Sequence, residues 1–376
     1  MNYEPTKGGW VAALLGVSLV FVGTPALAQK KPGGGTTIDC SAPVDFPAFI
    51  YGVTITSTRA SEVDIRIADA MGRCSRSLAR VPGVERRPLL MALDDGVWRA
   101  VWPDGDGYDN TNDGLVVQDF TVGAQASVSL IGSGRVASGR VTGLEAAAGG
   151  DFLFQRVNLG EVPTSVWRAV VSAGPVNGQR IITTTKLADV GHCALFDIAL
   201  GPDGDSLYFT DERADGQQGN SVRRVSLSSL TAAGAFDAAC GTQVLEVLGG
   251  HIVQLAAGPC PPGSTGTCLA LERHNVRGIP CTPDYYRTDV FALDTSQSST
   301  LQLAYPSWAP QGALYGRQTG STSKNSCTAK IYTTIVRHQL GGDLASDSMT
   351  TLGTATSIDA PNPMPQRREG LLTRSA

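Results

Sequence analysis

The sequence predicts an all-β protein, a propeller of six four-stranded antiparallel blades. Three observations lead there. Short strand-like segments recur in groups of four, a turn rich in glycine or aspartate separates the first two segments of most groups, and no long run carries apolar residues at helical spacing. The composition agrees, because 376 residues include 44 glycines and 21 prolines and only 17% are charged. Such a chain is built from short strands and many turns.

The clearest unit is the fourth. It opens with the strand-like segment 196–200, turns at Pro202-Asp203-Gly204, and continues through strands at 206–210, 221–227 and 243–248. Asp-Gly suits a tight hairpin because glycine accepts positive φ without steric cost. The same order recurs at 88–93, 97–102, 115–120 and 127–131, around Asp94-Asp95-Gly96, and at 140–146, 151–156, 165–171 and 179–185, around Gly149-Gly150. It returns at 251–257, 267–273, 288–294 and 300–304, and at 305–309, 313–317, 329–336 and 349–354. The first unit shows only three strands, 48–54, 62–69 and 75–81, and is incomplete at its start. A pair of β-sandwiches or a β-solenoid would explain alternating strands. Neither explains a turn that returns to the same place in each unit.

The stretch Leu200-Gly-Pro-Asp-Gly-Asp-Ser-Leu-Tyr-Phe-Thr-Asp211, and Ser61-Glu-Val-Asp-Ile-Arg-Ile-Ala-Asp-Ala-Met-Gly72 followed by Ser77-Leu78, resemble the WD40-like repeat of the TolB propellers. The resemblance spans roughly 46–356 and is strongest in the first and fourth units. It is confined to the propeller, since TolB also carries an N-terminal α/β domain that nothing before Phe46 could form. What it implies is a rigid disc that binds another envelope or extracellular protein, or a peptide, at its channel mouth. Fold alone does not fix function.

The first residues have the parts of an export signal. Lys7 precedes an apolar stretch from Trp10 to Val22, and Pro25 and Ala26-Leu27-Ala28 place cleavage before Gln29. The expected organisation is a signal peptide at 1–28, an N-terminal segment at 29–45, the propeller at 46–356 and a disordered tail at 357–376. The expected location is periplasmic or secreted. The apolar stretch falls short of the ~20 residues that a membrane span needs, and no later stretch reaches that length. A formal charge of −4 gives no electrostatic reason to expect nucleic acid as a partner.

Eight cysteines in an exported chain favour disulfides over zinc, because no Cys-x-x-Cys or nearby pair of histidines occurs. Cys260 and Cys268 flank one first-to-second hairpin, and Cys281 and Cys327 lie in second-to-third loops of adjacent blades. Cys40 with Cys74 would fasten the N-terminal segment to the first blade. Cys193 with Cys240 is disfavoured by the length of a blade strand, unless the loop 228–241 folds back.

Candidate chemistry is sparse. The run Asp104-Gly-Asp-Gly-Tyr-Asp-Asn-Thr-Asn-Asp113 alternates oxygen ligands and turns as calcium loops do, but it lacks a bidentate Glu at the twelfth position. Its composition is also that of an ordinary polar loop. No Gly-x-Ser-x-Gly elbow, His-Glu-x-x-His or Walker loop is present. No catalytic residue, cofactor or metal ligand is therefore assigned, and the chain reads as a binding protein before an enzyme. A polysaccharide lyase or glycoside hydrolase, and a calcium or small-ligand module, are the competing classes. His192, His251, His274 and His338 are scattered and read as loop or surface residues. Trp98, Trp102, Trp167 and Trp308 either pack between blades or stack on a ligand at the channel mouth.

Overall fold

The computed structural model describes residues 40–363, apart from 41–42, 44, 57–60, 73, 83–87, 105–113, 138–139, 158–162, 175–177, 192, 194, 213–217, 248–250, 265, 275–285, 296, 310–311, 322–330, 346 and 356–361. The first blade contains β1 (Phe49–Thr56), β2 (Ser61–Ala68) and β3 (Ser75–Pro82). The second has β4 (Leu89–Ala92), β5 (Val97–Asp104), β6 (Gly114–Val122) and β7 (Val128–Ala137). The third has β8 (Arg140–Ala146), β9 (Phe152–Val157), β10 (Pro163–Val171) and β11 (Ile182–Asp189).

In the fourth, β12 (Leu195–Leu200), β13 (Ser206–Glu212) and β14 (Gln218–Ser226) lead into a short helix, α1 (Leu227–Ala233), before β15 (Thr242–Glu246). The fifth has β16 (His251–Pro259), β17 (Thr267–His274), β18 (Tyr286–Ala292) and β19 (Ser298–Leu301). The sixth has β20 (Ala304–Trp308), β21 (Ala313–Ser321), β22 (Ile331–Leu340) and β23 (Asp347–Ala355). Every sheet is a four-stranded antiparallel meander.

The strand missing from the first blade comes from the other end of the chain. β24 (Asn362–Pro363) pairs with β1, placing Asn362 opposite Ile50 and Pro363 opposite Phe49. These two residues lie in the segment that the sequence suggests is a tail. The innermost strands then touch in a closed circuit of β4, β8, β12, β16, β20, β24 and β4 again. The ring is therefore shut by the C-terminal segment.

Six apolar cores lie one at each seam. Ile50, Val63 and Ile65 of the first blade meet Leu90, Trp102 and Phe120 of the second. Leu89, Met91 and Val117 of the second meet Leu144, Phe152 and Phe154 of the third. Leu153 of that same strand points the other way, joining Val166 to Ile198, Leu207 and Phe209. Tyr208 lies between Leu207 and Phe209 in sequence and packs on Leu255, Leu269 and Leu271 of the fifth blade. The fifth and sixth share Ala270, Val290, Leu303, Trp308 and Val336, and the sixth closes on the first through Tyr315, Leu352 and Phe49. Strand side chains alternate between faces, so a strand with a blade on each side needs apolar residues at consecutive positions. This is why Phe152-Leu153-Phe154 and Leu207-Tyr208-Phe209 are uninterrupted.

Close approach at the seams demands glycine in two places. A Cβ on Gly258 would lie 2.5 Å from the Cβ of Trp308, and one on Gly72, whose φ is +68°, would lie 1.9 Å from the Leu352 carbonyl oxygen. Outer edges are also tied together. Ser133 of β7 forms a parallel bridge to Gln179, and Asp189 of β11 forms one to Ala235. The strand expected at 179–185 therefore begins only at Ile182, because residues 179–180 turn to pair with the second blade.

Three disulfides are present among the described residues. Cys40 joins Cys74, Cys260 joins Cys268, and Cys193 joins Cys240, the last with Cα atoms 5.5 Å apart. Cys281 and Cys327 lie outside the described residues. The Cys193–Cys240 bond corrects the sequence-based expectation, because the loop does fold back. The Ser226 hydroxyl caps α1 by accepting the Ser229 amide, and Gly234 ends the helix in the left-handed region. Leu230 and Phe236 are then buried against Leu187 and Phe209. The Asp189 amide donates to Gly234 and the Phe236 amide donates to Asp189, which holds the returning segment on β11.

Candidate functional site

Where propellers bind or catalyse, side chains converge on the central channel, whose wall the innermost strands form. Four of the innermost strands carry an irregularity that breaks their pairing with the next strand outward. The breaks fall between Thr142 and Leu144, Leu195 and Ile198, Ile252 and Gln254, and Ala304 and Ser307. A bulge frees backbone groups from the ladder, and a buried N–H without a partner is costly. Carboxylates from the preceding blade accept three amides of these strands, that of Tyr305 inside its break and those of Leu200 and Leu255 just beyond theirs. Glu145 Oε2 accepts the Leu200 amide at 3.4 Å, Asp197 Oδ2 the Leu255 amide at 2.8 Å, and Glu272 Oε2 the Tyr305 amide at 2.7 Å. Each therefore joins one blade to the next across the channel wall.

A second polar group lies within the seam between the second and third blades. Asp119, fully buried, accepts Arg99 Nε at 2.7 Å and Arg99 Nη2 at 2.8 Å. Arg99 Nη1 donates to the Gly150 carbonyl of the third blade at 2.7 Å. Arg180 Nε sits 2.7 Å from Asp119 Oδ2, close enough for ion pairing but without the alignment of a hydrogen bond. Its Nη1 donates to the carbonyls of Ser172 and Ala173. The whole group is a staple between blades.

His338, read from sequence as a loop or surface residue, is buried on β22, with Nδ1 2.7 Å from Asp347 Oδ2. Its place is corrected by the alternation of β22, which turns even-numbered residues such as Val336 and Leu340 into the seam. His251 and His274 are opposite one another on β16 and β17, and His192 lies outside the described residues. The four tryptophans of the propeller strands are between blades: Trp102 and Trp308 are buried, while Trp98 and Trp167 pack against the neighbouring cores. The Trp167 ring stacks on Phe154, and its Nε1 donates to Ser165 Oγ.

Of the acidic run 104–113, only Asp104 is described, and it accepts Arg135 Nε at 2.7 Å. Among the described residues no group of three or more His, Cys, Asp or Glu is placed to hold a metal ion. No helix among them is long and apolar enough to cross a membrane.

Asp205 sits in the turn between β12 and β13. The Ser226 hydroxyl and the Ser228 amide both donate to it and hold its carboxyl below the ordinary aspartate value. A lowered folded-state value means that the stabilising contribution is complete above the unfolded value and is lost as pH falls through the folded one. Acid is thus expected to loosen α1 first. In acid-unfolding curves followed by tryptophan fluorescence, Asp205→Ala is expected to lose stability at neutral pH and to converge with the unsubstituted protein in acid.

Fold and channel wall together define a closed, disulfide-linked six-bladed β-propeller. No protein-family model matches the chain, and no curated protein matches it. Among solved structures, the chain is similar to the periplasmic gluconolactonase of Pseudomonas aeruginosa, with a TM-score of 0.43, 14% identity and 82% of each chain covered. It is also similar to a chain of the nidogen–laminin complex, with a TM-score of 0.42, 12% identity, and 84% of this chain and 97% of that one covered. A puromycin hydrolase gives a TM-score of 0.41 and 14% identity over 83% of this chain and 46% of that one. The blade assignment rests on the sheet order and the seam cores, and none of these likenesses bears on what the chain binds.

Proposed function

We propose that the chain is an exported, TolB-like propeller that works as a non-enzymatic scaffold in the periplasm or outside the cell. It holds another envelope or extracellular protein, or a peptide, at the end of the disc from which the second-to-third-strand loops leave. The observation that carries this reading is the use made of Glu145, Asp197 and Glu272. Each accepts a backbone amide of the next blade, so their charge serves the wall rather than a reacting group. Three disulfides suit the oxidising compartment that the leader-like first residues imply. Rigid blades carrying variable loops on one face are a common basis for recognition.

The test is chemical cross-linking of the 29–376 chain in the envelope fraction, followed by capture and mass spectrometry. The reading expects one protein enriched in stoichiometric amount, binding the purified chain directly, and lost when the second-to-third-strand loops are shortened. Enrichment of glycan alone, or binding that survives loop shortening, would overturn it.

A further inference from the structure

We propose that the Cys193–Cys240 disulfide is a redox latch, which a dithiol reductant opens to release the segment 227–241 from the third blade. The bond ties the linker between the third and fourth blades to the segment that returns from α1. Cys240 has a φ of +52°, a left-handed conformation that residues other than glycine rarely adopt. No other described cysteine has a positive φ. Such a conformation persists only where its surroundings enforce it, and it concentrates at switch regions and functional sites. Here a tight turn and the disulfide enforce it together. The Asp237 carbonyl accepts the Cys240 amide at 3.0 Å, and Asp237 Oδ1 accepts the Gly241 amide at 3.0 Å. Cutting the bond removes one of the two restraints.

The rest of the segment's hold on the third blade is slight. Its backbone meets β11 where the Asp189 amide donates to Gly234 at 3.0 Å and the Phe236 amide donates to Asp189 at 3.4 Å. From Thr231 to Ala239 every residue except Phe236 is exposed. Leu230 and Phe236 are the buried anchors, and the Phe236 ring stands edge-on to Phe209 with centres 5.4 Å apart. Few buried contacts and an exposed backbone mark a region of low local stability. Its release bares the apolar flank of Leu187 and Phe209. Cys193 is 3% exposed whereas Cys240 is half-buried, so the reductant's thiolate attacks Cys240. It forms a mixed disulfide there and expels Cys193 as a thiolate, which takes up a proton. The second thiol of the reductant then displaces Cys240 and leaves the reductant as its own disulfide. Two electrons and two protons pass from the dithiol to the cysteine pair. Cys260 and Cys268, at 9% and 0% exposure, offer no such approach.

The 29–376 chain is incubated with graded dithiothreitol, quenched in acid, alkylated and mapped by mass spectrometry, with amide exchange followed on the same samples. Cys193–Cys240 is expected to open about ten times faster than Cys260–Cys268. Asp189 and the segment 227–241 should then exchange about ten times faster, while Leu255 keeps its rate. A Cys193→Ser, Cys240→Ser double variant should show the same exchange with no reductant and bind anilinonaphthalene sulfonate. Opening no faster than that of Cys260–Cys268 would overturn the proposal. So would an unchanged Phe236 amide once the bond is cut, or loss of protection in all blades at once, which would make the bond a structural staple. If the double variant fails to fold, graded reduction of the unsubstituted chain still decides.

Discussion

A chain ending after residue 356 should melt roughly 6–10 °C below the full-length protein. The figure follows from exposing part of the Phe49 and Ile50 flank, at roughly 1.5–3 kcal/mol per side chain, and from about 2 °C per kcal/mol in domains of this size. Phe49 and Ile50 are 1% and 0% exposed, and they are the two residues whose strand edge pairs with β24. Without it the contact circuit of innermost strands is broken between β20 and β4. An open ring has two unpaired flanks, and an exposed strand edge invites pairing with another molecule. The truncated chain should therefore also form concentration-dependent dimers in size-exclusion chromatography. A chain ending after residue 365 keeps β24 and should behave as full length. Equal melting temperatures for all three would mean that the ring is held shut by the seam cores alone.

Asp119→Asn is expected to cost about 3–5 kcal/mol, the usual loss when one partner of a buried ion pair is neutralised. Two guanidiniums depend on this carboxylate, and Arg99, Arg180 and Asp119 are all buried. Neutralising it leaves two cations in a seam with little solvent to take its place. The urea midpoint should fall markedly, with little change in slope. Asp104→Asn is the matched control. Its partner Arg135 is 44% exposed, so the ion pair is screened by water and the loss should stay below about 1 kcal/mol. A buried ion pair is weak evidence for net stability, and its better-attested use is to fix one arrangement among several. Here that arrangement is the register of the second blade on the third, since Arg99 also reaches the Gly150 carbonyl.

Most of the blade order was legible because it is written in local patterns. The alternation of 221–227 and the Pro202-Asp203-Gly204 turn lie within a few residues of what they specify. Uninterrupted runs such as Leu207-Tyr208-Phe209 mark strands buried on both faces. The closing strand was not legible. Two residues, one of them proline, have no periodicity, and only the ends of the ring bring them to β1.

The Cys193–Cys240 bond was missed for a different reason. Spacing along an idealised blade places the two cysteines apart, but the Ser226 cap, Leu230 and Gly234 make a helix that returns the chain to β11. That signal was present in the sequence as a Ser-Leu-Ser-Ser start and a glycine stop. The polar contacts had no such signal. Arg99, Asp119 and Arg180 belong to three strands or turns, and Glu272 meets Tyr305 only because a bulge frees its amide. Sequence alone leaves these carboxylates available to either a reaction or a wall, and the structure puts them in the wall.

Amide hydrogen exchange at Leu200, Leu255 and Tyr305 tests that assignment most directly. If Glu145, Asp197 and Glu272 hold neighbouring blades together, all three amides exchange only through global unfolding, and Asp197→Ala speeds Leu255 alone by a factor of ten or more. Exchange at the rate of open loops in the unsubstituted protein, or a Leu255 rate indifferent to Asp197, would show carboxylates uncommitted to the wall and contradict the account.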